Sequence, residues 1–578
     1  MSDNYDKEHV VPECSRIIYE GFQRYNKNFQ RITDRAHIRF TQRDWKGHQQ
    51  DIADRIELYE KSATRIAESI KKVLQENPDN YQLWKEVRSY LGERLKNIPD
   101  SGFIKTFFNS ITRRVFKTTG NDPELEYIFS SMDEGSDRIA SLNLRRYPYW
   151  GSLHTLFEEV LEDTVFGVEY ANQPKSTHLI ADKVSHFCQK YLDDNDEFIR
   201  FEFIDSLFYQ SARAYLVGRI IKRKRIVPIV IAFENTDEGI RIDAVLMSDD
   251  EVSIVFGYTR SYYFADPRSV EAAVHFIHSM LPDKPVDELF TVLGRMRQGK
   301  TERYRSFTKH LYKTKDKFVH AEGDKGLVMI VFDLPSYDLV FKVIRDRFGF
   351  PKTISRKGVL DKYKLVSKHD RAGRLIDTQA FFNIEFPVQR FSDELLKDLI
   401  KNAKDTVSLN KDKLLIKHVY VERRVRPLNL YIKEVGKEQA ELAILDYGQA
   451  LKDLAQTNIF PGDLLLKNFG VTHHNRVVFY DYDEVALITE CNFRAIPEAD
   501  DYNDEMRADT WYHVNDNDIF PEEHLKFLAM NKELQSLFMK VHGELLTVDY
   551  WRDVKARHLA GEVSAVIPYS RPTIPLDY

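Results

Sequence analysis

Asp463 and Asn468 stand five residues apart in Phe460-Pro461-Gly462-Asp463-Leu464-Leu465-Leu466-Lys467-Asn468. Asp481 follows thirteen residues later in Val477-Val478-Phe479-Tyr480-Asp481-Tyr482-Asp483. A protein-kinase catalytic loop has this D-x-x-x-x-N form, with a metal-binding Asp at a later strand end. The spacing constrains the fold because three side chains with separate duties must converge on one phosphate. One Asp handles the acceptor's hydroxyl proton, the Asn holds a metal, and the later Asp holds Mg²⁺ against the phosphates. Phosphoryl transfer is the chemistry this implies, and the rest of a nucleotide site must lie upstream.

Upstream, residues 319–332 read as strand, glycine-bearing turn, strand. Gly323 and Gly326 would let backbone amides approach phosphate oxygens without a Cβ in the way. A plain hairpin has the same pattern. Val340-Phe341-Lys342-Val343-Ile344 is a β-branched strand with one Lys, which is costly to bury unless it meets an anion. A surface Lys on a half-exposed strand is the other reading. Residues 414–425 suit either a strand and hinge passing behind an adenine ring or an ordinary core strand. The order of glycine turn, Lys strand, hinge, catalytic Asp and metal Asp is the kinase order.

Several stretches carry a likeness: Ala321-Glu322-Gly323-Asp324-Lys325-Gly326-Leu327, Val340 to Ile344, Gly373-Arg374-Leu375-Ile376-Asp377-Thr378-Gln379, and Asn458 to Asp463. Lys467 to Val471, Val477 to Glu484, Gln42-Arg43-Asp44-Trp45 and Ser253 to Tyr258 extend it. In these the chain resembles the isocitrate dehydrogenase kinase/phosphatases of bacteria, over nearly its whole length. The resemblance implies ATP-dependent phosphorylation of a serine of isocitrate dehydrogenase and removal of that phosphate. Such a modification throttles the citrate cycle in favour of the glyoxylate bypass. It implies ATP binding by Ala321, Glu322, Gly323, Asp324, Lys325, Gly326, Leu327 and Lys342. It implies catalysis by Asp463 and Lys467, with Asp377 as a phosphatase-specific acid. The metal ligands are Asn468, Asp481 and Asp483, for Mg²⁺ or alternatively Mn²⁺. One nucleotide-occupied site would serve both directions. The N-terminal half would sense adenine nucleotides, with AMP as allosteric effector, through residues the sequence does not identify.

The expected fold class is α+β. A helix-rich regulatory domain with a small antiparallel sheet spans residues 1–310, and a bilobal protein-kinase-like domain spans 311–578. Its small lobe is an antiparallel sheet over about 315–420, and its large lobe is mainly helical over about 425–560. Ile18, Phe22, Tyr25 and Phe29 recur at helical spacing, as do Ile56, Tyr59, Ile66, Ile70 and Val73. Such stripes belong to a core. Strands are expected around 215–258, with a turn at Asn235-Thr236-Asp237-Glu238-Gly239. The prolines in residues 570–578 forbid a regular helix and make a tail.

The formal net charge of −6 argues against a nucleic-acid partner. The basic run Lys222-Arg223-Lys224-Arg225 lies between two apolar strands and reads as an exposed hairpin turn. Cys14, Cys188 and Cys491 are odd in number and far apart, which excludes a disulfide framework and a C-x-x-C site. The first residues are charged rather than apolar, unlike a secretory signal. The longest apolar run, Ile226 to Phe233, contains Pro228 and is too short for a bilayer. A cytoplasmic protein with no membrane partner is expected.

Some departures from the kinase pattern bear on mechanism. Pro461-Gly462 replaces the usual His-Arg before the catalytic Asp, so control by an activation-loop phosphate has no Arg to receive it. In Asp481-Tyr482-Asp483, an extended backbone would turn both carboxylates to one side. Lys467 suits a phosphate in transit or a surface position. No Glu occurs between Lys342 and Glu385, so the usual partner is missing from its expected place; either Asp370 or Asp377 supplies that charge, or no such pair forms. Asp377 also suits a helix cap. A small-molecule phosphotransferase and a non-catalytic nucleotide scaffold are the rival functions. The large N-terminal half weighs against the first, and the joint presence of Lys342, Asp463, Asn468 and Asp481 against the second.

Overall fold

Helix α1 (Ser2–Thr41) and helix α2 (Trp45–Leu74) form a long hairpin at the start of the chain. Asp44 ends the connection by capping α2, its Oδ1 accepting from the Gly47 amide at 2.9 Å. The stripe Ile18, Phe22, Tyr25 and Phe29 is buried against Ile66 and Ile70 of α2 and Phe103 and Phe107 of α4 (Ser101–Val115). Helix α3 (Asn80–Leu95) adds Trp84, whose indole N–H donates to Thr112 Oγ1 at 2.9 Å. Phe107 and Phe108 are fully buried, which stabilises the bundle by about 1.5–3 kcal/mol each. Ile56 and Val73 are only partly buried. The computed structural model describes residues 2–75, 80–116, 118, 122–128, 141–192, 197–257, 263–369, 372–497, 512–515, 517–528, 530–564 and 566–569. Asp370, Tyr258 and the expected tail at 570–578 lie outside those residues.

A six-stranded antiparallel sheet follows, in the order β1-β2-β4-β5-β6 with β3 on β4. Its strands are β1 (Leu144–Pro148), β2 (Phe198–Ile204), β3 (Phe208–Gln210), β4 (Arg213–Lys222), β5 (Ile226–Thr236) and β6 (Gly239–Leu246). The basic run is the β4–β5 turn, with Arg223, Lys224 and Arg225 exposed. The expected turn closes β5 on β6, pairing Thr236 with Gly239. Pro228 lies in β5 before β6 begins to pair, where its missing N–H is not needed. The strands end at Leu246, short of the expected 258. Residues Asp249–Val255 form helix α7 instead. A Ser248–Glu251 capping box and three acids in the first turn outweigh the β-branched residues there. Strands β1 to β3 precede the expected region.

The sheet has cores on both faces. Leu216 and Ile220 of β4 point to one, against helices α5 (Leu153–Glu162) and α6 (Gln173–Tyr191). Tyr215 and Val217 point to the other, with α8 (Val270–Met280) and α9 (Val286–Val292). Tyr569, from far along the chain, completes this second core and hydrogen-bonds Asp243 through its hydroxyl. Cys14, Cys188 and Cys491 are buried thiols.

Helix α10 (Met296–Lys313) leads into the C-terminal half and packs Phe307 and Leu311 into the next core. That core belongs to a second antiparallel sheet, ordered β10-β12-β9-β8-β7 with β11 on β12. These are β7 (Val319–His320), β8 (Met329–Leu334), β9 (Tyr337–Ile344), β10 (Gln379–Pro387), β11 (Val407–Asn410) and β12 (Lys413–Arg423). Alternation along β9 sends Leu339, Phe341 and Val343 into the core and turns Lys342 to the opposite face. Helices α11 (Arg356–His369) and α12 (Asp393–Asn402) flank this lobe.

The second lobe is built on α13 (Leu428–Glu434), α14 (Lys437–Gln456) and the later helices Lys532–His542 and Val548–Leu559. Short strands β13 (Arg426–Pro427), β14 (Ile459–Phe460), β15 (Phe469–Val471) and β16 (Val477–Phe479) lie at its edge. Helices and antiparallel sheets segregated along the chain make the fold α+β. Among the described residues, no helix is long and apolar enough to cross a membrane.

Candidate active site

A cleft of about 1460 Å³ lies between the two C-terminal lobes. That volume exceeds an ordinary small-ligand pocket and leaves room for a nucleotide beside a second reactant. Its wall includes the whole run Ala321–Leu327, together with Lys342, Asp463, Lys467, Asn468, Asp481 and Asp483. Asp377, by contrast, is not on that wall.

The Ala321–Leu327 run is the connection of the β7–β8 hairpin and lies on the cleft wall. Gly323 has φ +119°, which a side chain would rarely adopt. Glu322 is tied to Arg426 at 2.7 Å, which joins the loop to the residues just past β12.

Lys342 is 6% exposed. Its ammonium lies 2.6 Å from Glu422 Oε2 and donates to the Tyr480 carbonyl at 2.7 Å. The counter-charge therefore comes from the neighbouring strand, not from Asp377. The reason is sheet order: β12 pairs directly with β9, Glu422 opposite Val340. Glu422 is itself held by Thr378, whose hydroxyl donates to Oε1 at 2.6 Å. Beyond Glu422, the cleft wall continues through Arg423, Arg424 and Val425, the end of the 414–425 segment, to Arg426 and Pro427.

Asp463 follows Gly462, which has φ +83°. A Cβ at Gly462 would come within 2.4 Å of the Glu484 carbonyl oxygen, so no other residue fits. Asp463 Oδ1 accepts from the Leu465 amide at 3.0 Å, which fixes the carboxylate. Asn468 Nδ2 donates to the Asp463 carbonyl at 3.3 Å, leaving its amide oxygen for a cation. The Asn468 carbonyl accepts from the Tyr480 amide at 3.1 Å, which pins the loop to the Asp481 segment. Lys467 is half exposed and lies 3.6 Å from Asp324 across the cleft.

Asp481 and Asp483 both face the cleft, and Tyr482 between them is buried with its hydroxyl donating to Ile376 O at 2.9 Å. Burial, and then the charge and hydrogen bond of Asp483, push the Asp481 carboxyl well above its usual range. A divalent cation would relieve that repulsion, and two carboxylates with an amide oxygen are a hard donor set suited to Mg²⁺ or Mn²⁺. Lys352, which the sequence did not mark, lies 3.1 Å from Asp483 and lowers Asp481 in turn. No spacing signal connects Lys352 to these acids.

Asp377 caps no helix. It is 6% exposed and precedes β10 in an extended segment that runs beside β16. Ile376 reaches the cleft, while Asp377 Oδ2 accepts from Gln379 Nε2 at 2.8 Å and Arg303 Nη2 at 3.3 Å. Arg374 is a further residue with no assigned part in the sequence. It is buried and donates to Asp453 and Asp446 of α14 and to the Val477 carbonyl at 2.7–2.9 Å. The base of the Asp481 strand is thereby locked to α14. An Arg in an apolar stretch was the only available hint.

Models of the regulatory and kinase domains of isocitrate dehydrogenase kinase/phosphatase (AceK) match residues 15–315 and 316–571 respectively. An isocitrate dehydrogenase kinase/phosphatase of Xanthomonas campestris pv. campestris (strain 8004) is 43% identical over 563 residues, covering 96% of each chain. One from Anaeromyxobacter sp. (strain Fw109-5) is 40% identical over 97% of each. A third, from Anaeromyxobacter dehalogenans (strain 2CP-C), is 39% identical over 96% of each.

Proposed function

Since the chain belongs to the isocitrate dehydrogenase kinase/phosphatase family, we propose that it transfers the γ-phosphoryl group of ATP to a serine of isocitrate dehydrogenase and also hydrolyses that phosphoserine. The observation that carries this reading is the convergence of the Ala321–Leu327 loop, Lys342, Asp463, Asn468 and Asp481 on one cleft. Control of flux between the citrate cycle and the glyoxylate bypass follows from that pair of activities, and both would take place in the cytoplasm.

In the forward direction, ATP lies under the 321–327 loop with its adenine against the hinge. Lys342, oriented by Glu422 and the Tyr480 carbonyl, meets the phosphates as a positive point charge. Asp463, held by the Leu465 amide, takes the serine hydroxyl proton. Lys467 stands beside the transferring group. Asn468, Asp481 and Asp483 would hold Mg²⁺ or Mn²⁺, which when bound neutralises charge on the phosphate oxygens. Hydrolysis needs a positioned water in place of the serine, and Asp377 is the acid assigned to it. AMP is the proposed effector on the N-terminal half.

Incubating the protein with isocitrate dehydrogenase and γ-labelled ATP tests the reading. Label should appear on a dehydrogenase serine and be released as phosphate on further incubation. Label on a metabolite, or no transfer, would sink it.

A further inference from the structure

We propose that Arg303 is the positioning residue for Asp377, and that Asp287 links this pair to the strand bearing Glu422. The inference rests on the reading of Asp377 as the acid of the hydrolytic direction.

The argument begins with burial. Arg303, on α10 of the preceding half, is 1% exposed. Its Nη2 donates to Asp377 Oδ2 at 3.3 Å and its Nε to Asp287 Oδ2 at 2.8 Å. Asp287 Oδ1 accepts from Arg423, and Arg423 Nε donates to Glu288 Oε1 at 2.8 Å. Glu288 in turn lies 3.1 Å from the Lys284 ammonium. Three cations thus alternate with three carboxylates in one buried chain of contacts. Such a chain holds together because each charge has an opposite neighbour. Removing one member would leave a buried charge uncompensated.

The chain reaches the catalytic cleft at two places. Arg423 is the residue after Glu422, the partner of Lys342. Thr378 is the residue after Asp377, and its hydroxyl holds the other oxygen of Glu422 at 2.6 Å. In this extended segment Asp377 faces Arg303 while Thr378 faces Glu422. A shift of the guanidinium therefore acts first on Asp377 and only through Thr378 on Lys342. Gln379 shares Asp377 Oδ2 with Arg303, and it is neutral. Arg303 is a buried cation that the structure sets directly against this carboxylate.

The test measures both activities in Arg303→Met, Arg303→Lys, Asp377→Ala and the double variant Arg303→Met with Asp287→Asn. The double variant removes one charge of each sign and so keeps the buried network balanced where Arg303→Met alone does not fold. We expect the phosphatase kcat to fall at least tenfold further than the kinase kcat in Arg303→Met and in the double variant, with KM for the phosphorylated dehydrogenase unchanged. The acid limb of the hydrolysis pH profile should move to higher pH, because the cation favouring the carboxylate is gone. Arg303→Lys should restore part of the rate. Equal losses in both directions, with an unmoved pH profile, would overturn the inference and leave Arg303 as a clamp. If Asp377→Ala keeps full phosphatase activity, the reading of Asp377 itself fails. If Asp377→Ala is inactive in hydrolysis and the Arg303 variants keep the normal ratio of rates, only the positioning inference fails.

Discussion

Glu422 holds the Lys342 ammonium at 2.6 Å from the adjacent strand, one residue before the end of β12 on the cleft wall. In protein kinases the corresponding Glu comes from a helix that can swing away. Here the carboxylate belongs to β12, which is hydrogen-bonded to β9 on one side and β10 on the other. The pair cannot be broken by moving a helix.

Glu422→Gln should therefore weaken ATP binding by about 10- to 100-fold, because a buried ammonium loses the carboxylate that orients it. Both activities should fall together. Calorimetric titration with a non-hydrolysable ATP analogue checks this, and an unchanged Kd would show that the pair is structural only.

Asp463→Ala should lower the kinase rate by about 10²–10⁴-fold, the usual contribution of one positioned proton acceptor. ATP affinity should stay near normal, since Asp463 would handle the acceptor's hydroxyl and not the nucleotide. Single-turnover phosphorylation together with a nucleotide binding assay separates the two effects. Near-normal turnover would refute the assignment.

Asp481→Asn should cost both activities and most of the divalent-ion affinity. The substitution removes a charge from the two-carboxylate set while keeping its shape. Titration with Mn²⁺ followed by electron paramagnetic resonance reads the affinity directly. Intact phosphatase activity in this variant would contradict one shared site for both directions.

Stability should fall as the pH drops from 7 towards 4.5. Burial, aided by Arg356 and Lys300, pulls His418 down to about 4, and burial pulls His524 to about 4, against an ordinary 6.5. Between those values the unfolded chain binds protons that the folded chain refuses, so stability rises with pH across the window. Asp481 runs the other way, because its raised carboxyl keeps a proton that the unfolded chain gives up. Thermal melts should show a shallower slope with pH in His418→Gln and His524→Gln, and a steeper one in Asp481→Asn. Slopes identical to the parent would remove these groups as the cause.

The parts of the site legible in the sequence are those whose geometry is local. Asp463 and Asn468 share one loop, and Asp481 and Asp483 stand two residues apart just past β16, Asp483 in a turn rather than on the extended backbone expected, so nearness in sequence alone brings each pair together. The 321–327 loop is similar, being a single hairpin connection. The partner of Lys342 was not legible, since it depends on β12 lying next to β9, and strand order is not written in any one segment. Lys352 and Arg374 escaped for the same reason, their partners lying more than seventy residues away. Helix α7 was missed because a capping box overrode the β-branched residues within it. Strands β1 and β3 are five and three residues long and draw their stability from neighbours rather than from their own propensity.

Tyr569 sits in the core of the N-terminal half, its ring edge-on to Tyr215 at 6.4 Å. The ribosome makes that tyrosine only after the entire two-lobed half. The N-terminal sheet must therefore wait, with one face unfinished, through the synthesis of everything between. Nascent chains halted before residue 569 should be more open to protease around β4 and β6 than the released protein. A segment made long after the first sheet thus acts as a seal on it.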